Sequence, residues 1–189
     1  MKNIKALTVL LIILFVPSIG FSDVKKTYYE SGALLYESTY KNGNLEGLAK
    51  TYSLSGKLKE EFTFKNGILE GPYKDYYENG KLNEESTYKN GVQEGPYKNY
   101  YENGKLNEES TYKNGKLEGP YKSYYESGTL MYESTFKKSK LEGYAKGYYK
   151  NGGVMFIDTY KNDQKINRKS YNEIGDLEFD QDYPYIEEK

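Results

Sequence analysis

The chain contains no cysteine, no histidine and no tryptophan. Without cysteine there is no disulfide, no thiolate nucleophile and no lipid attached through an N-terminal cysteine. Without histidine the usual catalytic triads and histidine-based metal sites are excluded. Proline is scarce, with 5 in 189 residues, and 27 basic residues balance 28 acidic ones. That leaves no basic stripe of the kind nucleic acid requires. What remains is 24 Tyr, 7 Phe and 19 Gly. Aromatic residues separated by glycine favour strands and turns, and such a chain is too aromatic for disorder.

The N-terminus reads "MKNIKALTVLLIILFVPSIGFSD". Lys2 and Lys5 precede an apolar run from Ala6 to Val16, Pro17 breaks it, and small residues follow at Gly20 and Ser22. This is the pattern of a cleaved secretory signal over residues 1–22, with a mature chain starting near Asp23. The run is short for a bilayer span, which takes about 20 apolar residues. The expected location is therefore periplasmic or secreted, with membrane contact only through the uncleaved signal.

Glycines recur at 32, 56, 80, 104, 128 and 152. Tyrosine holds 28, 52, 76, 100, 124 and 148, and threonine holds 39, 63, 87, 111, 135 and 159. A fixed period of this kind marks a repeat architecture whose units lean on their neighbours. One unit is "PYKDYYENGKLNEESTYK", Pro72 to Lys89: an aromatic run, a glycine turn, then an alternating run. It reads as a β-hairpin. The residue before the turn glycine is Ser at 31, 55 and 127 and Asn at 79, 103 and 151. Serine resists the positive φ of a type I′ turn, so the expected connection is a three-residue loop closed by glycine in the left-handed region, with a bulge. Gly56, Gly80, Gly104, Gly128 and Gly152 are then structural.

In this register Tyr77 faces Lys81 and Tyr76 faces Leu82. One face of the second strand carries Leu82, Glu84, Ser86 and Tyr88, and the other carries Asn83, Glu85, Thr87 and Lys89. The Tyr76 column joins the first, more apolar face. Successive hairpins, linked by "KNG" turns, build one elongated antiparallel sheet. The all-β repeat domain spans residues 23–177, about six repeats and a remnant, "YNEIGDL". Residues 178–189 form an acidic tail without the repeat.

The pattern Tyr-Tyr-x-x-Gly-x-Leu followed by Tyr-Lys-Asn-Gly-x-x-x-Gly resembles the MORN repeat, and more narrowly the bacterial MORN-variant repeat of YwqK-type antitoxin proteins. Many MORN units carry a tryptophan in their core; here Tyr and Leu take those positions. The resemblance implies an elongated β-sheet repeat protein with an interaction role and no catalysis intrinsic to the repeat.

Carboxylates recur as Glu84-Glu85 and Glu108-Glu109 without a unique pair, so they read as a solvated ladder rather than a glycosidase site. "KNDQ" around Asp163 is too thin for a calcium loop. Lysine columns (50, 74, 98, 122, 146) and glutamate columns (37, 61, 85, 109, 133, and 46, 70, 94, 118, 142) suggest cross-strand ion pairs. The best binding candidates are two tyrosine rows, Tyr77, Tyr101 and Tyr125 with Tyr73, Tyr97 and Tyr121, since aromatic rings bury area at low entropic cost. The expectation is a non-catalytic exported scaffold, without cofactor or metal, binding a protein partner or a glycan but not nucleic acid. The alternatives are an envelope-associated spacer and an antitoxin-like protein.

Overall fold

A computed structural model describes residues 22–187. The N-terminal segment read as a signal lies outside these residues, apart from Ser22. Among the described residues a single antiparallel sheet of 17 strands forms. In the first half these are β1 (Asp23–Tyr28), β2 (Leu34–Lys41), β3 (Asn44–Tyr52), β4 (Leu58–Lys65), β5 (Ile68–Tyr76), β6 (Leu82–Lys89), β7 (Val92–Gln93) and β8 (Gly95–Tyr100). The second half comprises β9 (Leu106–Lys113), β10 (Lys116–Leu117), β11 (Gly119–Tyr124), β12 (Leu130–Lys137) and β13 (Lys140–Leu141). It closes with β14 (Gly143–Tyr148), β15 (Val154–Lys161), β16 (Gln164–Tyr171) and β17 (Leu177–Asp182). Pairing follows chain order from β1 beside β2 to β16 beside β17, so the sheet is an open meander.

Two turn chemistries alternate. At the glycine turn Tyr77 N–H donates to the Lys81 carbonyl at 2.9 Å and Gly80 N–H donates to the Tyr77 carbonyl at 2.8 Å. Gly80 sits at φ +83°, while Asn79 keeps negative φ. This is the three-residue loop with its glycine bulge, and it explains why serine is accepted before the glycine. The "KNG" turns differ. Asn66 and Gly67 have φ of 51° and 78°, both positive as a type I′ turn requires. Lys138-Ser139 and Asn162-Asp163 hold the same conformation without glycine. There Ser139 Oγ accepts from Leu117 N–H at 3.0 Å, and an Asp163 carboxylate oxygen accepts from Leu141 N–H at 2.5 Å.

A second bulge overturns the faces expected for the Tyr76 column and for Tyr73, while Glu84, Ser86 and Tyr88 share one face and Glu85 and Thr87 the other as expected. Tyr76 pairs with Leu82, but Asp75 pairs with Glu84, so Asn83 has no partner of its own in the ladder. One extra residue exchanges the faces of everything beyond it. Tyr73, Asp75, Glu84, Ser86 and Tyr88 therefore share one face, and Lys74, Glu85 and Thr87 the other. The Tyr76 column falls with the latter: the Tyr76 and Tyr100 hydroxyls reach Glu61 and Glu85. A further bulge around Thr63 explains proline within a strand. Phe62 pairs with Tyr73 and Phe64 with Leu69, so Pro72 lies where the ladder toward β4 is already interrupted.

The core is thin. On the first face aromatic rings lie over a buried column of small residues, where Ser86, Ser110 and Ser134 pair with Tyr73, Tyr97 and Tyr121. Ring centroids are 5.7 Å apart for Phe62–Tyr73, 6.0 Å for Tyr73–Tyr88 and 5.8 Å for both Tyr97–Tyr112 and Tyr121–Phe136. Such tilted and edge-on pairs contribute about 0.5–1.5 kcal/mol each beyond area burial.

The C-terminal end is closed by different residues. Asp158 replaces the buried serine and is 2% exposed. It accepts from Arg168 Nε and Nη2 at 2.7 and 2.9 Å and pairs with Lys165 at 2.8 Å. The Arg168 guanidinium lies 4.9 Å from the Phe156 ring centre. Gly147 allows that packing, since a Cβ there would stand 2.2 Å from the ring. The acidic tail is not separate from the sheet: residues 178–182 lie in β17, and Tyr183 N–H donates to the Ile166 carbonyl at 2.9 Å.

Candidate functional site

The two tyrosine rows occupy different settings. Tyr73, Tyr97 and Tyr121 are half-buried in the aromatic layer. Burial pushes the Tyr121 hydroxyl up to about 12, and pushes those of Tyr73 and Tyr97 up further. Tyr77, Tyr101 and Tyr125 stand at the glycine turns. Each hydroxyl donates to a tyrosine carbonyl of the next repeat, at 2.6 Å to Tyr100, 2.6 Å to Tyr124 and 2.7 Å to Tyr148. This row is thus also a staple between repeats. At Ser53, where no tyrosine stands, that staple is missing.

Between the rows runs a polar stripe that the sequence did not single out. Asn107 donates to Asn99 Oδ1 at 2.8 Å, Asn99 to Asn83 Oδ1 at 3.3 Å, and Asn83 to the Asp75 carboxylate at 2.5 Å. Glu84 and Glu108 lie beside it and are half-buried. Burial raises both carboxyls above the ordinary 4.5. Among the described residues no lysine or arginine forms an ion pair with either. Only repeats that carry Asn at 83 and 107 can extend the amide chain, and Met131 ends it.

The opposite face sets lysine beside glutamate. One row of cross-strand partners crosses the whole sheet: Lys26, Glu37, Lys50, Glu61, Lys74, Glu85, then Lys98, Glu109, Lys122, Glu133, Lys146, Ile157, Lys169 and Asp180. Ion pairs close at 3.4 Å for Lys26–Glu37, 3.3 Å for Lys50–Glu61 and 3.8 Å for Lys146–Glu133, while Glu85 and Glu109 accept from the Tyr100 and Tyr124 hydroxyls at 2.7 Å. A tyrosine hydroxyl adds to each glutamate, at 2.6 Å from Tyr52 to Glu37 and 2.7 Å from Tyr76 to Glu61. These hydrogen bonds, against a smaller opposing effect of burial, hold Glu37 and Glu61 below 4.5. Burial, reinforced by the same contacts, pushes Tyr52, Tyr76, Tyr100, Tyr124 and Tyr148 up to about 12.

The second glutamate column has a different task from the ion pairing expected of it. Glu46, Glu70, Glu94, Glu118 and Glu142 each accept from a backbone N–H of the next type I′ turn, at 2.6 to 3.0 Å. Among the described residues no group of three or more acidic side chains converges as metal ligands would.

An open single-layer meander of similar hairpins, with one lysine–glutamate face and one face of packed tyrosine rings, defines a tandem β-hairpin repeat protein. The chain belongs to the MORN repeat variant family, whose pattern matches residues 24–42, 45–66, 69–90, 93–114, 117–138 and 141–162. That repeat is a non-enzymatic, all-β type suited to a scaffold. No curated protein matches the chain.

Proposed function

We propose that the protein is a non-catalytic, exported scaffold that binds a protein partner on its tyrosine-rich face, over the central repeats. One contrast carries this reading. On the charge-paired face every glutamate of the row stands between lysines in the ladder and accepts from a tyrosine hydroxyl. On the tyrosine face Glu84 and Glu108 are half-buried without a cation, next to an ordered amide stripe. Desolvated carboxylates beside aromatic rings favour a partner that brings donors or positive charge. Repetition then supplies reach: antiparallel strands lie about 4.8 Å apart, so equivalent groups recur about every 10 Å across the sheet. Export rests on the N-terminal pattern around Lys2, Lys5 and Ala6 to Val16.

The test is a pull-down from envelope and medium fractions with the native chain and with Tyr77, Tyr101 and Tyr125 changed to Ser. A partner held by the first and lost by the folded variant supports the reading. A partner retained by the variant would overturn the assigned surface, and no partner in either fraction would favour the spacer. Mass spectrometry of the native protein should find a chain starting near Asp23; an intact Met1 would overturn export.

A further inference from the structure

The two ends of the sheet are open edges of unlike charge. Among the described residues β1 pairs only with β2, and β17 only with β16. Each therefore presents a row of backbone donors and acceptors to whatever lies beside it. β17 is exposed along its whole length and β1 at every residue but Thr27. Val24 is 58% exposed and Phe179 40%. β1 carries Lys25 and Lys26 after Asp23 at its start, and β17 carries Glu178, Asp180 and Asp182 and no basic residue.

We propose that copies of the chain join end to end, β17 of one beside β1 of the next, so that the sheet continues through the junction. Polarity permits it. β1 holds the place of an incoming strand, with Tyr28 paired to Leu34 across the same bulge that separates Tyr76 and Leu82 from their neighbours. β17 holds the place of an outgoing strand, with Leu177 paired to Tyr171 across an equivalent bulge. An outgoing strand followed by an incoming one is the antiparallel junction found between repeats inside the chain.

The register can be carried over residue by residue. Inside the chain Glu85 faces Lys98 and Glu84 faces Asn99. Asp180 stands where Glu85 does, opposite its lysine of the preceding strand, and Lys26 stands where Lys98 does. The same junction between copies thus sets Asp180 against Lys26 of the next chain, and Phe179 against Thr27. Inside the sheet most lysines of the row lie between two acidic partners. Among the described residues Lys26 has one, Glu37 at 3.4 Å, and Asp180 has one, Lys169 at 3.2 Å. The junction supplies the missing neighbour to both, and lysine and acid alternate across it as they do from Lys26 to Lys146 inside the chain.

Charge also selects against the other pairings. β1 beside β1 sets lysine against lysine, and β17 beside β17 sets aspartate against aspartate. Only the unlike edges match. Such a contact joins different surfaces of the two copies and does not close on itself, so it produces open chains rather than a dimer of fixed size.

The experiment is sedimentation of the protein, expressed with its own N-terminal segment and purified as the cell processes it, over a concentration series. The weight-average mass should climb with concentration without a plateau at two copies. Lys26→Glu alone and Asp180→Lys alone should each remain monomeric. An equimolar mixture of the two should assemble again, because the altered edges complement each other while the other two edges are native. The side chains are 46% and 43% exposed, and circular dichroism checks that each variant folds. The milder pair Lys26→Gln and Asp180→Asn, which sets no like charge beside Glu37 or Lys169, should weaken assembly without reversing it. A native protein that stays monomeric, a plateau at the dimer, single variants that assemble by themselves, or a mixture that stays monomeric would each overturn the proposal.

Discussion

Replacing Asp158 by serine tests whether the C-terminal end is held by its buried ion cluster. Serine is what the equivalent column holds at 38, 86, 110 and 134, so the site accepts its size. The change removes three charged contacts, two from Arg168 and one from Lys165, at 2.7 to 2.9 Å. Breaking a buried ion pair from one side costs about 3–5 kcal/mol. Lys165 and Arg168 are 28% and 36% exposed and can regain water, which lowers the expectation to about 2–3 kcal/mol. In a repeat array each unit is stabilised by its neighbours, so the loss stays near the altered end. Hydrogen exchange should therefore quicken about 30- to 150-fold in β15, β16 and β17 and little in β4 to β9. Unchanged exchange at the C-terminal strands would refute the cluster as the source of stability. Equal acceleration along the whole sheet would refute local unfolding. A double-mutant cycle with Arg168→Ser should show strong non-additivity, since both single changes remove the two Arg168–Asp158 contacts.

Gly104 holds φ +89°, so Gly104→Val should destabilise by about 2 kcal/mol or more and Gly104→Asn by much less, read as urea midpoints; equal midpoints would refute the left-handed loop. Glu84→Gln and Glu108→Gln should raise the melting temperature at neutral pH. The sign follows from burial raising both carboxyls: their contribution is full below about 4.5 and is lost as pH rises through the folded value, so the advantage of the variants should vanish in acid. Tyr52, Tyr76, Tyr100, Tyr124 and Tyr148 are raised from 10 to about 12, so the stability they add is present below pH 10 and lost as pH rises toward 12. Ultraviolet titration should show that column ionising late, and Tyr100→Phe should remove one late step.

The sequence by itself determined the repeat, the hairpin and the loop at Gly80. Each depends on local chemistry: serine before the glycine resists positive φ, and Asn-Gly in "KNG" accepts it. It also supplied the lysine and glutamate columns, though not their partners. What the tertiary structure decided is which side chains share a face. Asn83 and Glu84 together oppose Asp75, and nothing in an alternating run of polar residues announces that extra residue. Tyrosines stand on both faces, so no apolar stripe fixes the parity. The consequence is large, because the bulge moves Tyr73 into the aromatic layer and Tyr76 onto Glu61. The burial of Ser110 beneath rings, the capping of turns by Glu70 and the joining of the acidic tail to the sheet are likewise pairings between distant strands. Register sets them, and register is a property of the assembled sheet.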